Sequence, residues 1–218
     1  MKTKLYFLIL LLGIISCNKE PKIIDKPIEF GELREQLTLD YMKSHYGIVQ
    51  TSPIIDPKMI VIHWTAIPTL EKSFRAFVNT KIGSHRTKIN TASQLNVSSQ
   101  FMIDLDGTIY RLMPENYMAR HVIGLNHCAI GIENVGGTTD IPLTEKQLKA
   151  NIWLVKYLKN KYDINYVIGH YEYTNFENHE LWLEKDEGYR TKKTDPGKDF
   201  LFKIKNATKD LGFKETPE

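Results

Sequence analysis

Apolar positions along the chain fall into short β-branched runs that alternate with stretches of helical spacing. MIVIHW, residues 59–64, is a dense apolar run ending in polar residues, the pattern of a buried strand. AIGIENV, 129–135, predicts a second strand, stopped by Gly136-Gly137, and YVIGH, 166–170, a short third. FMID and TIYRLM flank Leu105-Asp106-Gly107, and Asp-Gly between apolar runs signals a hairpin. Leu33 to His45 has the spacing of a short helix ending at Gly47. Leu70 to Lys81 predicts another, with Phe74, Phe77 and Val78 on one face. Thr144-Glu145-Lys146-Gln147 is a capping box opening a third, whose buried stripe holds Leu148, Ile152, Val155 and Leu158. Strands and helices interleaved in this way predict an α/β single domain, a mixed central β-sheet flanked by α-helices.

The N-terminus breaks the pattern. Lys2 and Lys4 precede an apolar run from Leu5 to Ile15, too short to span a bilayer as a stable helix and laid out like a secretory signal. Ile14-Ile15-Ser16-Cys17 resembles the lipobox of bacterial lipoproteins, in which the cysteine is lipidated and becomes the mature N-terminus. A standard signal peptide with an incidental cysteine is the alternative. Several acyl chains on Cys17 would anchor the protein stably, whereas one is marginal. Residues 1–16 are therefore read as signal, 17–30 as a polar tether with Pro21 and Pro27, 31–57 as a helical extension, 58–205 as the main domain and 206–218 as a tail.

Length and charge narrow the classes further. A chain of 218 residues suits one core with a short extra segment. The formal charge of +3, with no basic stripe, gives no reason to propose a nucleic acid partner. Acylation of Cys17 would leave Cys128, the other cysteine, without an intramolecular partner, so no disulfide is expected and a small buried thiol is its expected state.

Candidate chemistry gathers at strand ends. His63 ends the first predicted strand and His170 a later one, positions from which side chains project into the crevice of an α/β sheet. Asp195, held by Pro196-Gly197, could bring a carboxylate to the same place. Two imidazoles and one carboxylate are a common ligand set for catalytic zinc, with a fourth position left for water. The scattered spacing makes this a weak signal alone, because a single histidine at a strand end is more often a hydrogen-bonded structural residue.

The ordered set VIHWTA (61–66), FMIDLDGTIYRLM (101–113), ARH (119–121), NHCAIGIENVGG (126–137), IGHYEY (168–173) and KKTDPG (192–197) resembles the type 2 N-acetylmuramoyl-L-alanine amidases. That family includes phage T7 lysozyme-like amidases, bacterial anhydro-muropeptide amidases and animal peptidoglycan recognition proteins. The resemblance covers roughly residues 58–205 and implies the fold of that family. It implies that His63, His170 and Asp195 hold Zn2+, that Lys193 faces the site, and that the substrate is the amide between muramic acid and L-alanine in peptidoglycan. Glu133 matches the acid–base glutamate of the anhydro-muropeptide branch. The tyrosine that replaces it in the T7-like branch corresponds here to Ser99, which leaves Glu133 to act alone. His121 matches a histidine that lines the substrate cleft, where it could polarise the scissile carbonyl or bind the muramyl group. In an extended stretch residues i and i+2 share a face, which suits Lys193 and Asp195 acting on one cavity.

Each role has a plainer counterpart: a solvent-facing edge-strand glutamate for Glu133, a solvated loop cation for Lys193, and structural packing for His121. His127 and His85 carry no functional claim. Two departures from the family stand out. Gln100 takes the place of a histidine before Phe101, and TNFENHELWLEKDEGYRTK intervenes between Tyr173 and Lys193. That insertion is read either as a lip over the cleft, with Trp182 near sugar or peptide, or as a surface excursion docked on the domain. The leading expectation is a zinc amidase acting on peptidoglycan or its muropeptide fragments, lipid-anchored in the cell envelope and facing the periplasm. Asn18, rather than aspartate, after the lipobox cysteine favours the outer membrane. A non-catalytic peptidoglycan-binding module and a zinc peptidase cutting within stem peptides are the competing readings.

Overall fold

The computed structural model describes residues 21–83 and 90–218. The signal segment, Cys17 and His85 lie outside the described residues. Six strands form one sheet in the order β1-β4-β3-β5-β2-β6: β1 (Ile23–Asp25), β2 (Met59–Trp64), β3 (Phe101–Ile103), β4 (Ile109–Arg111), β5 (Ala129–Asn134) and β6 (Tyr166–Gly169). The β3–β4 hairpin is antiparallel and every other pairing is parallel, so the sheet is mixed, as predicted. Among the described residues four α-helices accompany it: α1 (Glu32–Tyr41), α2 (Leu70–Val78), α3 (Glu145–Lys161) and α4 (Lys198–Ala207).

Alternation along the central strands decides what each face carries. Ile60, Ile62, Ile130, Ile132 and Val167 point to one side, where Leu148, Leu154, Val155 and Leu158 of α3 and Leu201 and Ile204 of α4 cover them. Each such buried leucine contributes roughly 1.5–3 kcal/mol by its removal from water. Met59, Val61, Ala129, Tyr166 and Ile168 point to the other side and join Tyr41, Met42 and Tyr46 in a second core. The register pairs Val61 with Gly131 and Ile168, and His63 with Glu133. His63, Glu133 and His170 continue this second parity, so alternation alone sets them on one face.

The capping box forms as predicted: Thr144 Oγ1 accepts from Gln147 N at 3.1 Å, and Gln147 Oε1 accepts from Thr144 N at 2.9 Å. α1 continues into a π-helical turn, Met42–Tyr46, closed by Gly47 at φ 70°. Buried Arg34 fastens α1 to α2 by donating to the carbonyls of Phe77, Val78 and Asn79 at the end of α2.

Three expectations change. Residues 23–25, read as tether, add a parallel strand beside β4, and Ile28 is buried behind it. α4 and the short helical turn Lys209–Leu211 extend order past the predicted elements. β5 lies between β3 and β2, so Glu133 is on an interior strand, not at an edge. Cys128 is buried, as expected of a small thiol, and burial pushes that thiol up to about 12.

Candidate metal centre

His63 leaves the end of β2, and His170 begins the turn His170–Phe176 directly after β6. Asp195 comes from the loop before α4, where Gly197 N donates to Thr194 O at 3.0 Å and Tyr171 N to Asp195 O at 3.2 Å. The three side chains meet. His63 Nδ1 and His170 Nδ1 are 2.9 Å apart, and Asp195 Oδ2 lies 3.1 Å from the first and 3.0 Å from the second.

This triangle fits a small divalent cation. Tetrahedral bonds of about 2.0–2.1 Å would set the ligand atoms roughly 3.3–3.4 Å apart, a few tenths of an ångström wider than here. Two imidazole nitrogens and a carboxylate oxygen are also the borderline donors zinc prefers. The electrostatics agree with the ligand-ready protonation states. Burial, reinforced by His63, lowers His170 to about 3 against the raising effect of Asp195, so the ring is neutral near pH 7. Burial raises the Asp195 carboxyl, but hydrogen bonds with His170 and His63 outweigh it and hold the group well below the ordinary range. Among the described residues this is the group of three that could hold a metal.

The triangle stands at the wall of a cleft of about 200 Å³ that also reaches Glu133, His121 and Lys193. Glu133, opposite His63 in register and 8% exposed, supplies the cleft's other carboxylate. Lys193 shares the cavity with Asp195, as their i, i+2 spacing predicts, and its charge adds to the lowering of His170. Ser99 is fully buried with its hydroxyl turned to the carbonyls of Phe101 and Gly131 at 2.6 and 3.1 Å, so it takes no part in the cleft. Gln100, the departure beneath the site, bridges neighbouring segments: its Oε1 accepts from Gly131 N at 2.7 Å and its Nε2 donates to Tyr117 O at 2.8 Å. Asn134 steadies the end of β2 by donating to His63 O at 3.0 Å, and it pairs in turn with Asn151 of α3.

His121 lines the cleft, but its ring nitrogens are both engaged within the protein. Nδ1 is 3.0 Å from His63 Nε2 and Nε2 is 3.3 Å from Ala129 O. Burial, with His63 and His170 nearby, holds its pKa well below the ordinary value. Trp182 does not line the cleft, contrary to one reading of the insertion. Its ring packs on Gly124, where a Cβ would come within 2.5 Å, stacks on Tyr173 at 6.1 Å and lies under Arg190 at 4.6 Å. The insertion does reach the cleft, through Tyr189 and Thr191. Tyr189 Oη accepts from buried Arg120 Nη2 at 3.0 Å. Sequence reasoning missed Arg120, Tyr189 and Tyr41 as cleft residues. Arg120 sat inside a quoted motif, and its position beside His121 was the available signal.

The sequence profile described as N-acetylmuramoyl-L-alanine amidase matches residues 51–198. Among solved structures, the N-acetylmuramoyl-L-alanine amidase LysC from Clostridium intestinale URNW is similar, with a TM-score of 0.55 and 23% identity, covering 89% of this chain and 99% of that one. The endolysin amidase LysCS from the same organism gives a TM-score of 0.54 at 24% identity, covering 89% of this chain and 97% of its own. Bumblebee PGRP-SA gives 0.52 at 22% identity, covering 90% and 99%. These likenesses concern the fold. No curated protein matches the sequence.

Proposed function

The chain belongs to the N-acetylmuramoyl-L-alanine amidase family, and from that membership we propose that it hydrolyses the amide between N-acetylmuramic acid and L-alanine with Zn2+ held by His63, His170 and Asp195. One observation carries the metal assignment: three candidate ligand atoms from distant parts of the chain stand 2.9, 3.0 and 3.1 Å apart, with His170 and Asp195 held in protonation states suited to a cation. When bound, the ion supplies Lewis acidity, polarising the scissile carbonyl and acidifying a water.

The protein's own groups account for the rest. The Glu133 carboxylate takes a proton from the attacking water as oxygen bonds to the lactyl carbonyl carbon. It then delivers that proton to the alanine nitrogen, so the C–N bond breaks with a neutral amine leaving and a carboxylic acid forming. The Lys193 ammonium faces the same cavity and offsets the negative charge on the tetrahedral oxygen, a contribution that grows in a water-poor cleft. A module that only binds peptidoglycan needs none of Asp195, Glu133 and Lys193 in this arrangement. Mass analysis of products from purified muropeptides, with zinc content measured on the same sample, tests the reading. Free L-alanine amino termini are expected. Cleavage inside the stem peptide, or binding without cleavage by metal-free protein, would overturn it.

Lipid anchoring at Cys17, with the domain facing the periplasm from the outer membrane, belongs to the same proposal and rests on the lipobox-like Ile14-Ile15-Ser16-Cys17 and on Asn18. Cys17→Ser should move the protein from the membrane pellet to the soluble fraction, and an unchanged distribution would remove the anchor.

A further inference from the structure

We propose that His121 is a positioning residue for the metal centre: it fixes the hydrogen of His63 on Nε2 and so aims the Nδ1 lone pair at the metal. This rests on the zinc reading above but concerns a residue outside the ligand set.

The geometry leaves little choice of hydrogen placement. His121 Nε2 is 3.3 Å from Ala129 O, and a carbonyl oxygen only accepts, so that nitrogen carries hydrogen. His63 Nδ1 faces His170 and Asp195, so a metal there leaves the hydrogen of His63 on Nε2. His63 Nε2 is 3.0 Å from His121 Nδ1, which then accepts. The two bonds run in one direction, from His63 to His121 to the Ala129 carbonyl, with no nitrogen left facing another of its own kind. A histidine that binds metal through one nitrogen commonly has its other N–H held by an acceptor, which fixes ring orientation and raises ligand basicity. Here the acceptor is a second imidazole, anchored by a strand.

The His121 ring is built into place. His121 N donates to Asn126 Oδ1 at 2.8 Å, and Asn126 Nδ2 donates to Tyr46 Oη at 2.7 Å. The ring lies over Gly131 of β5, where a Cβ would stand 2.9 Å from His121 Cγ. Gly131 is therefore the recess that admits the ring. The same pair, His63 and His121, meets edge to face with centroids 5.1 Å apart. With both nitrogens occupied, His121 acts on the substrate through His63 and not by direct contact.

The test compares zinc affinity by chelator competition in wild type, His121→Phe, His121→Asn and Gly131→Ala, each checked for folding by its thermal transition. His121→Phe keeps a ring without an acceptor and should bind zinc about 10- to 100-fold more weakly. His121→Asn places an amide oxygen where Nδ1 was and should recover most of the loss. Gly131→Ala, which pushes the ring from its recess, should weaken binding in the same direction, while the KM for muropeptide in His121→Asn should stay within about twofold of wild type. In zinc-loaded wild type, long-range nitrogen-15 spectra should show His121 with hydrogen on Nε2 and a bare, accepting Nδ1. A folded His121→Phe protein with wild-type zinc affinity, or a His121 ring with hydrogen on Nδ1, overturns the positioning role. Wild-type protein that takes up no zinc overturns the metal reading itself, and this inference with it.

Discussion

Glu184 Oε1 lies 2.8 Å from His45 Nδ1, and both side chains are buried. This contact joins the segment inserted before Lys193 to the helical region that precedes the amidase motifs. Lys185 N donates to His45 O at 3.0 Å, and His45 stacks on Tyr41 with centroids 4.1 Å apart. Tyr41 and Tyr189 both line the cleft, so the N-terminal extension and the insertion build one of its walls together.

That wall should fail when its fastening is removed. His45→Ala leaves Glu184 buried without its partner, and loss of one member of a buried pair costs about 3–5 kcal/mol. Burial lowers the His45 pKa, but hydrogen bonds with Glu184 and the Ala92 carbonyl outweigh it and the net shift is upward. A raised folded pKa gives stability that is fully present below the ordinary value of 6.5 and is lost as pH rises through the folded value. Urea denaturation of wild type and His45→Ala on either side of neutrality reads both effects. The difference between them should shrink as pH rises.

Glu133→Gln separates metal binding from turnover. The amide keeps the shape of the side chain on β5 but cannot accept a proton from water, while the three ligand atoms stand on other elements. Zinc content should match wild type, and kcat should fall by roughly 10²-fold or more. Full activity in the variant would remove Glu133 as the base.

Alternation made the sheet centre legible, with the side taken by His63 and His170, whereas Asp195, on a loop, was joined to them through the family resemblance. MIVIHW and AIGIENV are apolar on both faces, and the residues at their ends inherit a side. β1 was hidden because three residues between two prolines bury little on their own, and the pairing that orders them comes from β4. α4 was hidden because Phe202 is exposed and only Leu201 and Ile204 are buried, too few to mark a stripe. The sequence left Trp182 open between the cleft and the domain surface because composition cannot say which surface an aromatic covers. Gly124, whose missing side chain makes room for that ring, lies 58 residues earlier. For His121, the motif located the ring but not the partner of each nitrogen.

His127 should make the protein sensitive to mild acid. Burial alone lowers its pKa to about 4, and among the described residues its Nδ1 has no hydrogen-bond partner. A histidine depressed in the folded state is charged first in the unfolded chain, so stability falls as pH drops from 6.5 towards 4. The shift corresponds to on the order of 3 kcal/mol across that window. His127→Phe should flatten the pH dependence of the denaturation midpoint there while leaving the cleft untouched. An unchanged slope would place the titrating group elsewhere.

Residues 23–30 set the last expectation, because they serve the fold as well as any link to Cys17. β1 pairs Ile23 with Ile109 and Asp25 with Arg111, and beyond it Lys26 N donates to Arg111 O at 2.9 Å and Ile28 N to Leu112 O at 2.8 Å. Only residues 18–22 then separate Cys17 from the sheet, a reach of at most roughly 18 Å when fully extended. A protein starting at Lys22 should keep the stability of the longer chain. One starting at Gly31 loses buried Ile28, costing about 1.5–3 kcal/mol, and uncovers the β4 edge, which invites pairing between molecules. Thermal denaturation and light scattering of the two truncations decide the matter: the shorter should melt earlier and self-associate, and equal behaviour would return residues 23–30 to the role of a linker.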